Sequence, residues 1–169
     1  MKGKVFLFSI VLLAAVALST TAVFAADMFT GTWKMNLAKS TYSPGPPPSP
    51  PKEPSIQKIT AIPNGLKVVA ASVNSAGEKT HNEFTVKFDG KDYPVTATLD
   101  GKPDPKVANM ISGKKIDDYT MEFTLKLNGK VTSVNTNVVS KDGKVRTTTQ
   151  TGTNAQGQAV NNTVIYEKQ

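Results

Sequence analysis

Thr80, Asn82, Phe84, Val86 and Phe88 alternate with His81, Glu83, Thr85 and Lys87. A period of two puts successive side chains on opposite faces of a strand, so this stretch predicts a half-buried strand with the phenylalanines inward and His81 outward. Tyr93, Val95, Ala97 and Leu99 form a second one-sided set, and Met121, Phe123, Leu125 and Leu127 a third. Turn signals separate such stretches at Asn64-Gly65, Ala76-Gly77, Asp89-Gly90, Asp100-Gly101, Asp117-Asp118, Asn128-Gly129, Asp142-Gly143 and Gln156-Gly157. Short strands joined by such turns predict an antiparallel meander. About ten strands are expected, at 31–37, 55–62, 66–74, 79–88, 91–99, 107–116, 119–127, 130–140, 144–152 and 158–167. A meander of that length curls, and closing it removes exposed edges, so the fold class is all-β: a single up-and-down antiparallel barrel of about eight to ten strands. Pro94 lacks a ladder donor and belongs at a strand start, a bulge or a gap in pairing.

In two places the alternation blurs. VTSVNTNVV, from Val131 to Val139, and VRTTTQT, from Val145 to Thr151, put polar groups on either face. An unpaired buried amide or hydroxyl costs about 1–3 kcal/mol. These strands therefore predict bulges that switch face, or an interior that holds water or ligand.

The first 25 residues differ from the rest. Lys2 and Lys4 precede an apolar run from Val5 to Leu18, and Val23 and Ala25 occupy the −3 and −1 positions of a cleavage site. That is the pattern of a secretory signal peptide cut near Ala25, leaving 26–169 as one barrel domain in the periplasm or the medium with no membrane span. With no cysteine in 169 residues, packing and hydrogen bonds alone hold the domain, and thiol catalysis and cysteine metal sites are excluded. The mature net charge is +5, from 18 basic and 13 acidic residues. Its lysines are dispersed and no basic face with interleaved aromatics occurs, so nucleic acid is not an expected partner. SPGPPPSPPKEP, residues 43–54, holds seven of the eleven prolines and reads as an extended crossover between the first two strands, placed to lie across one barrel mouth.

Catalytic signatures fail. The single histidine, His81, falls on the polar face, and HNE at 81–83 lacks the cysteines that a zinc deaminase needs. No nucleophile elbow, zinc-protease helix or phosphate loop is present, and most carboxylates sit in turns. The chain reads as a non-enzyme without cofactor or metal.

The ends carry more information. GTWK at 31–34 and VIYEK at 164–168 resemble the opening and closing segments of intracellular lipid-binding proteins, and Gly31-x-Trp33 is also the G-x-W of the lipocalins. With the proline-rich run and FDGKDYPV at 88–95, the chain also resembles uncharacterised, exported, lipocalin-like bacterial proteins. The resemblance implies a calycin-type barrel enclosing a small hydrophobic or amphipathic ligand. It further implies that Gly31, Trp33 and Arg146, the sole arginine, close the barrel, with Arg146 stacked on Trp33 or paired with a ligand anion; the alternative for Arg146 is an exposed strand arginine, since parity in its strand is unclear. Lipid-binding proteins end in R-x-Y; Tyr166 matches, but Val164 stands at the arginine position, so a fatty-acid assignment does not carry over.

Parity with Trp33 turns Met35 and Leu37 inward, parity with Tyr166 turns Val160, Asn162 and Val164 inward, and with the one-sided strands this selects Asn82, Phe84, Tyr93, Phe123, Asn162 and Tyr166 as candidate ligand contacts. Three functions fit: a monomeric exported binding barrel that carries or sequesters a small molecule, a structural or interaction module of the cell envelope with a filled core, and a barrel enzyme such as a cyclase or isomerase. The enzyme needs His81 inside.

Overall fold

The computed structural model of the protein describes residues 26–42, 51–153 and 159–169; residues 1–25, expected to be a signal peptide, most of the proline-rich segment and the expected Gln156-Gly157 turn lie outside the described residues. One helical turn, α1 (Ala26–Phe29), leads into β1 (Gly31–Thr41), followed by β2 (Glu53–Ile62), β3 (Gly65–Val73), β4 (Lys79–Lys87) and β5 (Tyr93–Leu99). After a two-residue strand, β6 (Lys102–Pro103), come β7 (Met110–Lys115), β8 (Thr120–Leu127), β9 (Lys130–Val139), β10 (Val145–Thr153) and β11 (Ala159–Lys168). Every neighbouring pair is antiparallel. β1 pairs with both β2 and β11, and β4 pairs with β5, which pairs in turn with β7. The sheet thus closes on itself as a ten-stranded up-and-down barrel, with β6 a short flap on β5.

Turn chemistry sets the registers. Both residues of Asp100-Gly101 and of Asn128-Gly129 have positive φ, the backbone that a tight hairpin with right-handed strand twist requires. Asn64 alone takes positive φ in its turn; Gly65 serves by its size, because a Cβ there would run into the carbonyl oxygen of Val86. Asp117 accepts from the backbone N–H of Tyr119 at 2.7 Å, and Asp142 from Ser140 Oγ at 2.6 Å and the N–H of Lys144 at 3.1 Å, so both carboxylates knit their own turns.

The prolines fall where missing donors do least harm. Pro94 pairs only with Met110 of β7 and lies just past the last β4–β5 pair, Phe84 with Val95. Pro54, expected in the crossover, is instead the second residue of β2. It sits in the stretch between Glu53 and Ile56 where the β2–β3 register shifts, so the strand starts two residues inside the span assigned to the crossover.

Inward-facing residues build the core unequally along the barrel axis. Trp33, Phe29, Leu66, Val86, Ile111 and Met121 are all under 3% exposed. Most of them come from the start of β1, the end of β4 and the starts of β3 and β8, strand ends that meet at one end of the barrel. That end is a packed floor. Trp33 stands opposite Gln57 of β2 and Lys168 of β11, and its Nε1 donates to the carbonyl of Phe29 at 2.7 Å, tying α1 beneath the ring. No helix among the described residues is long and apolar enough to cross a membrane.

Candidate functional site

Above the floor the interior is not filled. A cavity of about 890 Å³ runs from Phe29, Met35 and Ile59 toward the other end, where Asn74, Lys106, Val107 and Thr153 line it. Side chains stack around it in rungs that follow the strand registers. One rung of the wall is Val68, Phe84 and Val95 on β3, β4 and β5. Phe84 meets Phe123 of β8 edge to face at 6.4 Å between centroids, which puts the next rung at the same depth. That rung continues from Phe123 to Asn135, Gln150 and Asn162 on β9, β10 and β11. At one depth, then, the wall is apolar on one side and a row of three carboxamides on the other.

One step toward the floor stand Asn137 and Thr148, and a further step down stands Arg146. Thr148 Oγ1 donates to Asn137 Oδ1 at 2.7 Å, and Asn162 Nδ2 donates to Gln150 Oε1 at 3.0 Å. Asn135 Oδ1 is buried and has no hydrogen-bond partner among the described residues. These are the strands whose alternation blurs in the sequence, and the blur has two causes. From Ser133 to Val139 the inward positions are polar rather than displaced, the β9–β10 register running without a shift. At the start of β9 the β8–β9 register does shift, between Val131 and Ser133, and brings both Thr132 and Ser133 to the cavity.

Arg146 is 4% exposed, with its guanidinium carbon 4.3 Å from the centre of the Tyr166 ring and 5.3 Å from that of Trp33. Nη2 donates to Gln57 Oε1, and Gln57 Nε2 donates in turn to the Tyr166 hydroxyl at 2.9 Å. Arg146 Nε has no partner, and no carboxylate forms an ion pair with this group among the described residues. Burial lowers the guanidinium to about 10, so it stays charged at neutral pH. Burial also pushes the Tyr166 hydroxyl up, while the Arg146 charge and a hydrogen bond from Ser55 pull the other way. Aromatic faces and one amide hold this cation, and each such contact adds about 0.5–2 kcal/mol. Gly31 lies at the floor with φ 120° and its Cα side against the Lys168 side chain.

Of the six residues selected as ligand contacts, Asn82, Phe84, Phe123, Asn162 and Tyr166 line the cavity. Tyr93 does not. Its ring packs against the core, but its hydroxyl donates to Asp89 Oδ2 at 2.8 Å in the turn before β5, which leads it out of the interior and raises its pKa. Arg146, assigned to barrel closure with a ligand anion as its other expected partner, stacks on Trp33 and also lines the cavity. Sequence reasoning missed Gln57, Asn135, Asn137, Thr148 and Gln150. The signal was available: the Asp142-Gly143 turn fixes which residues of β9 and β10 face each other, and counting outward from it places Asn135 and Gln150 on the face of Arg146.

His81 is on the outer face, its side chain 42% exposed and its Nε2 3.7 Å from Glu83 Oε2, so the placement that an enzymatic reading needs is not found. No group of three or more potential metal-ligating side chains occurs among the described residues. Compared with protein-family models, curated proteins and solved structures, the chain matches none of them.

Proposed function

We propose that this protein is an exported, non-enzymatic barrel that binds a small amphipathic molecule in its interior, as a carrier or a sequestering protein. One observation carries the reading: a cavity of about 890 Å³ inside the barrel, lined by apolar side chains together with the polar residues Asn135, Asn137, Arg146, Gln150 and Asn162. A pocket for a small molecule is typically about 300–1,000 Å³, mostly apolar, with a few polar groups that orient the guest. Polar side chains in such a lining are the groups that hydrogen-bond a guest and fix its orientation. The calycin-like character of the GTWK and VIYEK termini supports the reading by analogy of fold alone.

Native mass spectrometry of the protein recovered from the cells that make it tests the proposal. The expected result is a retained mass of a few hundred daltons that is lost on denaturation. Bare protein that also fails to take up the hydrophobic dye 1-anilinonaphthalene-8-sulfonate would overturn it.

A further inference from the structure

The shape of the polar surface inside the cavity narrows the class of guest. A cavity made for a straight-chain amphiphile needs polar groups at one end and apolar walls along its length. From the floor up to the depth of Phe84 the division here runs lengthwise; beyond it Asn82 and Thr80 on β4 and Ser72 on β3 line the cavity as well. On β10 the inward residues Arg146, Thr148 and Gln150 follow one another at alternate positions, which in extended chain span about 13 Å from floor to mid-barrel. Asn135 and Asn137 on β9 and Asn162 on β11 widen that column into a polar strip. Facing it are Val68, Phe84 and Val95, with Ile111 and Leu125 on the same apolar side. The contact between Phe84 and Phe123 fixes both kinds of surface at one depth, so a guest there meets hydrocarbon on one edge and carboxamides on the other.

From this geometry, and resting on the binding function proposed above, we infer that the ligand is a flat, rigid, facially amphipathic molecule: an apolar scaffold with several hydroxyl or carbonyl groups spaced along one edge. The strip suits such groups because carboxamides both donate and accept. The amide nitrogen of Gln150 has no protein partner among the described residues to compete for an acceptor on the guest. A linear acyl chain would satisfy at most one point of the strip and leave the rest desolvated. Such unmade hydrogen bonds to buried groups count heavily against the wrong guest.

Cholate, lithocholate and hexadecanoate, each below its micellar concentration, form the test by isothermal titration calorimetry. All three carry one carboxylate, so attraction to Arg146 is common to them; cholate presents three hydroxyls on one face, lithocholate one and hexadecanoate none. The wild-type protein is expected to bind cholate about tenfold or more tighter than either of the others. In the Asn135→Leu/Gln150→Leu double variant that preference is expected to vanish, with lithocholate still bound, which also shows that the variant is folded. Should the double variant not fold, Asn162→Leu alone is expected to reduce the preference several-fold. Equal or weaker binding of cholate by the wild type, or a preference that survives these substitutions, would overturn the inference while leaving a binding barrel intact. Failure of all three amphiphiles and of the hydrophobic dye to bind would remove both.

Discussion

At the closed end of the barrel, Trp33 is fully buried over the carbonyl of Phe29, and Leu66, Val86 and Met121 pack around it with exposures of 1% or less. Higher in the same sheet, β9, β10 and β11 face open space with Asn135, Gln150 and Asn162, and among the described residues the Asn135 carboxamide oxygen goes unpaired. Both regions share one ladder of backbone hydrogen bonds, so the difference lies in side chains alone. The floor is chosen for packing. The upper interior forgoes packing, as a protein does where a site must stay open for a guest at some cost in stability. Arg146 marks the boundary, its guanidinium resting on the Trp33 and Tyr166 rings below and its Nε unsatisfied.

Substitutions at the two levels should behave differently. Trp33→Ala removes the largest buried ring and leaves the Phe29 carbonyl without its donor; a loss of about 3–5 kcal/mol in urea unfolding is expected. A change below about 1 kcal/mol would mean that the floor is not the anchor of the fold. Gly113→Ala tests the tight side of the wall. A Cβ there would lie 3.1 Å from Val86 Cγ2 and 3.2 Å from Phe123 Cε1, and overpacking of this kind costs about 1–3 kcal/mol.

On the polar strip the sign should invert. Asn135→Leu replaces an unsatisfied amide by hydrocarbon, and an unfolding free energy equal to the wild-type value or higher by about 1 kcal/mol is expected, with weaker binding of a polyhydroxylated guest. A large loss of stability would show that this strip is structural. The smallest effect is that of acid. Glu167, Asp89 and Asp142 are held below their ordinary carboxylate values, Glu167 chiefly by Lys39 and Asn36, Asp89 by Tyr93 and Asp142 by Ser140. A depressed folded-state pKa means that the unfolded chain binds protons first. Their contribution is therefore complete above about pH 5 and is lost as the pH falls below about 4, through the folded-state values. A melting temperature that rose on acidification across that window would contradict these contacts.

The barrel was legible because its determinants are local. Glycine, asparagine and aspartate turns punctuate the chain, and one-sided alternation in 79–99 and 119–127 assigns faces without tertiary information. The ten barrel strands fall within a few residues of the expected spans, apart from β1, which runs on to Thr41 through an irregularity after Asn36. The site was legible only in part. Phe84, Phe123, Asn82 and Asn162 follow from parity, but parity says nothing of where the tip of a long side chain ends, and Tyr93 leaves the interior through its hydroxyl. Gln57 was invisible for the opposite reason. Its importance comes from Arg146 and Tyr166, which are 89 and 109 residues away in the chain. The blurred strands 131–139 and 145–151 were the best sequence signal of an unusual interior, and they form the polar strip.

The central claim is that the interior above the floor is open space that holds a guest, and filling that space tests it most directly. Ala70 lines the cavity between Gln57 and Asn82 on the neighbouring strands, two inward positions along β3 from Leu66 of the packed floor. In Ala70→Trp the indole should occupy the void: uptake of 1-anilinonaphthalene-8-sulfonate seen with the wild type should disappear, while the melting temperature stays within about 2–4 °C. A filled interior would instead have no room for the ring. A wild-type protein that takes up no dye, together with an Ala70→Trp variant that unfolds, would contradict the account.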